Sequence, residues 1–365
     1  MKAEARIEGF APPERVLVAN AEDVNVEEVA FRRFCIAWGE PFGISVSFED
    51  EDESADALVF NPGANGSIVH PFRSLPTVAV RFGLGRPAQA SEALEWITGR
   101  GLDGYRWALR YLRTVGSCPL QLYRYGDDSE NLAELRVPDG AGPHPVVVLI
   151  HGGGWKALWG KDLMVPMAVD LAQRGFASWN IEFRRLGNGG GWPHTFEDVA
   201  AAVDALVEVA EEHVLDLNRV ALLGHSSGAQ LALWAAAREQ RGVRAALVVS
   251  LSGMVDLVEA ERRGLIGGEN VTARLLGGAA LEVPERYAEA SPLERLPLGV
   301  PQLLIQGLAD YIPDLVDTNR SYARAAEAAG DVIELLELDG VDHLQPIEPS
   351  SIAWAATRER IEQWM

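Results

Sequence analysis

The sequence predicts an α/β protein whose 365 residues form two units, each built on a mostly parallel sheet covered by helices. Three observations lead there. Short apolar runs of strand length recur along the chain, separated by amphipathic stretches long enough for helices. At about 150 residues per domain, the length suits roughly two domains. The composition, 48% hydrophobic and 23% charged, is that of a globular chain.

In the first unit, residues 1–116, strands are expected at 15–19, 44–48, 57–61 and 76–80. Each is short and apolar enough to be buried on both faces. Helices are expected at 26–38 and 101–112. The acidic run 49–56 reads as a solvated loop or short helix rather than a metal site. The second unit, residues 117–365, opens with an antiparallel pair at 120–125 and 132–137. It continues with strands at 146–150, 177–183, 219–223, 246–251, 302–306 and 332–338, and with helices at 161–173, 196–213, 227–238, 315–329 and 352–364. That alternation makes a doubly wound sheet of about eight strands. Residues 253–298 are long enough for a small cap over its edge, with Leu265, Ile266, Leu275, Leu276 and Tyr287 either lining it or packing beneath it.

Thirty-two Lys and Arg against 53 Asp and Glu leave a net charge of −21, which disfavours nucleic acid and anionic membranes as partners. Cys35 and Cys118 form no CxxC spacing, so neither a disulfide framework nor a thiolate metal site is expected. The N-terminal residues lack an apolar signal core, and no run of about 18 apolar residues occurs. The expected compartment is the cytoplasm.

Chemistry concentrates at four places in the second unit. Strand 219–223 runs into Gly224, His225, Ser226, Ser227 and Gly228, and a helix follows at once. Glycines two residues either side of a serine permit the sharp strand–turn–helix that lifts a hydroxyl out at the carboxyl end of a sheet. Ser226 is thus the candidate nucleophile, with Ser227 better described as a helix cap. Of seven histidines, only His343 lies downstream of Ser226, in the loop after the last expected strand, where it can serve as base. Asp310, one strand earlier, is the candidate carboxylate to orient it. Asp314 and Asp317 fall where a helix begins, and Asp342 adjoins His343 too closely. After strand 146–150, His151, Gly152, Gly153, Gly154 and Trp155 offer unobstructed N–H groups. Gly153, Gly154 and the N–H of Ser227 are the expected oxyanion donors. Trp155, His225 and Trp192 are candidate substrate contacts, with plain packing the alternative for both tryptophans. No metal site is expected.

Read together, HGGGW at His151, GHSSG at Gly224, GLAD ending at Asp310 and VDH ending at His343 resemble an α/β-hydrolase over residues 120–365. The HGGGW loop, the segment 183–193 and the insertion after Ser252 are similar to bacterial carboxylesterases of the acetyl/feruloyl-esterase-like group and to kynurenine formamidases. The resemblance implies a cofactor-free serine hydrolase. Gln306 departs from it, since relatives often have histidine there, and Arg184 and Asp198 match positions read as structural. Hydrolysis of a small carboxylic ester through an acyl-Ser226 intermediate is the leading reading. An arylformamidase or amidase with the same residues, or an acyltransferase, is the alternative.

The first unit resembles a type II 3-dehydroquinate dehydratase in residues 16–25, 57–67, 75–80 and 104–112, which implies a small flavodoxin-like parallel domain. The family's tyrosine-bearing loop is missing between Asn25 and Phe31, and Arg81 stands where its histidine is expected. Asn61, Pro62 and Gly63 persist. The unit is therefore expected to be catalytically silent, serving self-assembly or covering the hydrolase site. The opposite reading, a working dehydratase on a hydrolase scaffold, would show in an absorbance assay with dehydroquinate.

Overall fold

The computed structural model describes residues 1, 3–20, 27–48, 55–61, 75–82, 93–239, 242–265, 270–312 and 314–365. The apolar runs form two sheets. The smaller contains β2 (Arg15–Asn20), β3 (Ser45–Phe48), β4 (Ala57–Asn61), β5 (Thr77–Arg81) and β6 (Glu95–Thr98), all parallel, in the order β3-β2-β4-β5-β6. This is the flavodoxin-like order. Its inner strands β4 and β5 are buried on both faces, which is why they read as continuous apolar runs.

The larger sheet has nine strands. β1 (Ala3–Ile7), β7 (Leu120–Arg124), β8 (Leu132–Arg136), β9 (His144–Ile150), β10 (Ala177–Ile181), β11 (Leu215–His225), β12 (Leu247–Leu251), β13 (Gln302–Gly307) and β14 (Ile333–Leu338) lie in the order β1-β7-β8-β10-β9-β11-β12-β13-β14. The first four are joined antiparallel; from β10 to β14 every neighbouring pair is parallel. The carboxyl ends of β9, β11, β13 and β14 therefore share one edge.

Two departures from the expected layout have physical causes. The sheet gains a ninth strand because residues 3–7, outside the expected pattern, pair with β7 at the edge. So these residues belong to the larger sheet, not to a unit ending at 116. The core is also continuous across that boundary. On the helix Asp103–Val115, Tyr105, Trp107, Leu109 and Leu112 share one apolar cluster with Val16, Val59 and Val80 of the small sheet and with Val147, Leu149 and Met164 of the large one. Arg110 on that helix reaches the main-chain oxygens of Leu163 and Ile347 at 3.2 and 2.9 Å.

The helix expected at 196–213 is broken into His194–Asp204 and Leu206–Val209, and the one at 161–173 begins with a 3₁₀ turn at Lys161–Met164 ahead of Pro166. The insertion 253–298 carries the short helices Leu257–Arg263, Val271–Leu276 and Pro284–Ala290. Its Leu265, Leu275, Leu276 and Tyr287 are buried in the core cluster that contains Trp179 and Trp234, so the packing alternative holds for them. Ile266, His70, Asn25, Pro62, Gly63 and most of the run 49–56 lie outside the described residues. Among the described residues no helix is long and apolar enough to cross a membrane.

Candidate active site

β11 ends at His225, and Ser226 adopts φ 54°, ψ −119° before the helix Ser227–Ala236 begins. For a residue with a side chain this is a strained backbone conformation, of the kind retained where function requires it. The close turn rests on its glycines. A Cβ on Gly224 would lie 2.1 Å from the Gly228 carbonyl oxygen, and one on Gly228 would lie 2.2 Å from that of Ile150. Hydrogen bonds from the Ser226 N–H to Leu251 (2.8 Å) and from Met254 to the Ser226 carbonyl (3.1 Å) lock the turn against the end of β12.

His343 follows β14 and Asp310 follows β13. Nδ1 of His343 stands 2.8 Å from Oδ2 of Asp310, whose side chain is fully buried. That carboxylate also accepts the Ile312 N–H at 2.9 Å and the Gln306 amide at 3.3 Å. Burial pushes the Asp310 carboxyl up, but the His343 hydrogen bond and the remaining donors outweigh it and leave it below the ordinary value. Gln306 is thus a third donor to Asp310, beside His343 and the Ile312 N–H, a role its sequence position did not disclose. His343 and Ser226 line the same cavity of ≈ 210 Å³, together with Gly153, Gly154, Lys156, Trp159, Leu163, His225, Tyr311, Ile312 and Leu344. The walls are mainly apolar, with a few polar groups converging at one side.

The loop after β9 meets this cavity with its glycines. The N–H groups of Gly153, Gly154 and Ser227 donate to no backbone or side-chain acceptor among the described residues. Gly153 has φ 114°, and a Cβ there would lie 2.3 Å from that of Trp159. The loop is braced from behind. His151 Nε2 donates to Glu182 at 2.9 Å, and Glu182 also accepts the N–H of Lys161 (3.0 Å) and the Arg185 guanidinium (2.9 Å). Burial pushes the Glu182 carboxyl up, yet the charges of Arg185 and His151 hold it well below the carboxylate range.

The three candidate substrate contacts separate. The Trp155 indole is 1% exposed, packs in the core and donates to Gln230 Oε1 at 3.1 Å. Trp192 packs edge-on against Phe196. Both pack in or against the core, and neither is among the described residues that line the Ser226 cavity. His225 does line it, but its Nε2 is committed to the His343 carbonyl at 2.8 Å. The walls that the sequence did not disclose are Trp159, Leu163, Tyr311, Ile312 and Leu344, residues of loops and of the short 3₁₀ turn Lys161–Met164 that no spacing rule singles out. Arg184 and Asp198 form a two-point pair (2.8 and 2.6 Å) that fixes the loop after β10, a structural part. Among the described residues no group of three or more His, Cys, Asp or Glu side chains could hold a metal ion.

Similar solved structures include a truncated carbohydrate esterase from gut microbiota (20% identity, TM-score 0.57, covering 66% of this chain and 94% of that one). A bacterial heroin esterase is 25% identical, with a TM-score of 0.57, over 67% of this chain and 83% of that one. Esterase B from Lactobacillus rhamnosis is 17% identical, with a TM-score of 0.60, over 71% and 89%. The first and third bear on the fold alone. A search of curated proteins finds no match. Fold and family together define an α/β-hydrolase of the carboxylesterase type. The chain belongs to the BD-FAE family, whose model matches residues 135–324.

Proposed function

We propose that the protein hydrolyses small carboxylic esters through an acyl-enzyme on Ser226. His343 accepts the Ser226 proton as Oγ attacks the ester carbonyl, passes it to the departing alcohol, and then activates the water that releases the acid. Asp310 holds the imidazole in one tautomer and stabilises its charged form. The N–H groups of Gly153, Gly154 and Ser227 receive the negative oxygen of the tetrahedral intermediate.

The observation that carries this reading is the strained Ser226 backbone at the wall of a small apolar cavity that the hydrogen-bonded His343–Asp310 pair also lines. The limited volume favours a short acyl group. The reading needs no cofactor and takes the protein as cytoplasmic, acting on a small-molecule substrate. Free Cys35 and Cys118 suit a reducing compartment. In the same reading the N-terminal unit is a catalytically silent relative of the dehydratases. Its strand order supports the kinship, and Arg81 at the end of β5 supports the silence.

The test is hydrolysis of p-nitrophenyl esters from acetate to octanoate, with N-formylkynurenine alongside, by the parent protein and by Ser226→Ala. Ester turnover lost in the variant supports the reading. Preference for the formamide moves the assignment to an arylformamidase, and full activity in Ser226→Ala removes Ser226 as nucleophile.

A further inference from the structure

We propose that the N-terminal unit sets the length of acyl group the Ser226 cavity accepts, and that Arg100 is the positioning residue through which it does so. The inference rests on the ester-hydrolase reading above and gives a role to the unit that contributes nothing to the proposed catalytic set.

The chemistry divides the cavity into two sides. With the ester carbonyl oxygen at the N–H groups of Gly153, Gly154 and Ser227, the leaving oxygen must come within reach of His343 to be protonated. The alcohol then lies along Tyr311, Ile312 and Leu344, which flank Asp310 and His343; the Tyr311 ring is centred 5.4 Å from the His343 ring. The acyl chain is directed to the opposite wall, Trp159 and Leu163, which continue from the oxyanion loop. Trp159 packs directly on the Gly153 backbone, so its ring is where a growing acyl chain stops.

Trp159 is held from the N-terminal unit. The Arg100 guanidinium, just beyond β6, lies 4.6 Å from the centre of the Trp159 ring, and Trp107 meets that ring edge-on at 5.4 Å. Arg100 is itself fixed at both sides of Trp159. Its Nε donates to the Leu158 carbonyl at 2.6 Å, and its two terminal nitrogens each reach an Asp162 oxygen at 2.6 Å. Both charged side chains are almost wholly buried. One guanidinium thus grips residues 158 and 162 while its flat face presses on the ring between them. A planar cation with several donors in fixed directions can do this, and an ammonium cannot. The same segment has a second tie, since the Lys161 ammonium bonds Glu95 of β6 and Glu134 of β8. Buried ion pairs are weak sources of stability but strong constraints on position. These are placed where position decides the depth of the cavity.

The experiment measures kcat/KM for p-nitrophenyl acetate through octanoate with the full-length parent protein, Arg100→Met, Arg100→Lys, Trp159→Ala and Ser226→Ala. The parent is expected to favour the shortest esters. Arg100→Met should lower the acetate-to-hexanoate ratio of kcat/KM about tenfold, Trp159→Ala should move it the same way, and Arg100→Lys should fail to restore it. A merely structural role for Arg100 would lower activity on every ester by one factor. A ratio within about twofold of the parent's in folded Arg100→Met therefore overturns the proposal. If Arg100→Met does not fold, Trp107→Ala removes the ring that meets Trp159 edge-on and also flanks Arg100, along with its core packing and its bond to Asp103; in the folded variant a lowered ratio supports the proposal and an unmoved one overturns it. Activity that ignores Ser226→Ala, or an inactive parent, overturns the ester reading and this proposal together. Ser226-dependent activity whose ratio ignores Arg100 overturns this proposal alone.

Discussion

His225 donates its Nε2–H to the main-chain carbonyl of His343 at 2.8 Å, so the residue before the proposed nucleophile holds the loop of the proposed base. The ring is buried, and burial together with the neighbouring charge of His343 lowers its pKa to about 3. It is therefore neutral in the fold, with the donor on Nε2 and a bare Nδ1.

The first prediction follows from that neutrality. An unfolded histidine titrates near about 6.5, so between that value and about 3 the unfolded chain binds the extra proton. Stability contributed by neutral His225 is complete above the unfolded pKa and is lost as pH falls through the window. His225→Gln keeps a donor for the His343 carbonyl and does not titrate. Melting curves at about pH 7 and about pH 4 should show a smaller loss of Tm in the variant than in the parent. Equal losses would mean that His225 is not the group taking up the proton.

Asp310 gives the second prediction. Its carboxylate accepts from His343 Nδ1, and an asparagine there would favour the wrong tautomer while leaving the geometry in place. Asp310→Asn should lower kcat for p-nitrophenyl acetate by about 10³–10⁴-fold with KM little changed. Gln306→Leu removes the 3.3 Å bond to Asp310 and a 2.9 Å bond to the Gly307 carbonyl but leaves the His343–Asp310 bond in place, so its effect should be far smaller, about 0.5–1.5 kcal/mol per bond lost. Steady-state kinetics on both variants check the ranking, and equal losses would contradict it.

The fold was largely legible because its inner strands are buried on both faces and its helices keep an apolar stripe. The nine-residue stretch from Arg219 to Ser227 carries its own context of strand, glycine, serine and helix. The positions of Asp310 and His343 follow from chain order once β13 and β14 are parallel to β11. What escaped notice is instructive. β1, with the sequence AEARI, is exposed almost throughout, and its alternation is weak because two of its three apolar positions are alanines, poor strand formers. β6 is four residues long and begins with Glu95, whose buried carboxylate is bonded by Lys161 and by the Trp96 N–H. The cavity wall of Trp159, Tyr311 and Leu344 depends on loop paths, and the grip of Arg100 on Asp162 spans 62 positions. Local patterning has no means of pointing to such a pair.

The third prediction concerns Gly153. A methyl group there would lie 2.3 Å from the Trp159 Cβ, and the residue's φ of 114° suits glycine. Gly153→Ala must therefore move either Trp159 or the N–H proposed to receive the oxyanion. Loss of one such donor costs about 10²–10³-fold in kcat. Gly153→Ala should show a loss of that order on p-nitrophenyl acetate while retaining its far-UV circular dichroism. Unchanged kcat would remove the Gly153 N–H from the proposed oxyanion site.

The insertion 253–298 yields the last prediction, because Leu265, Leu275, Leu276 and Tyr287 are buried in the core and do not line the cavity. Leu275 is fully buried and Tyr287 is 2% exposed, both in the cluster with Trp179 and Trp234. The Leu275 carbonyl also accepts the Trp192 N–H at 2.6 Å, which ties the insertion to the loop after β10. Truncation at Leu275 leaves a hole in packed surroundings, so Leu275→Ala should lower the unfolding free energy by about 2–5 kcal/mol in urea titrations. The same variant should keep the parent's acyl-length preference, since no described residue of the insertion lines the Ser226 cavity. A shifted preference with unchanged stability would instead make the segment a cap that reaches the substrate. The two measurements separate a helix that holds the core together from one that shapes the pocket.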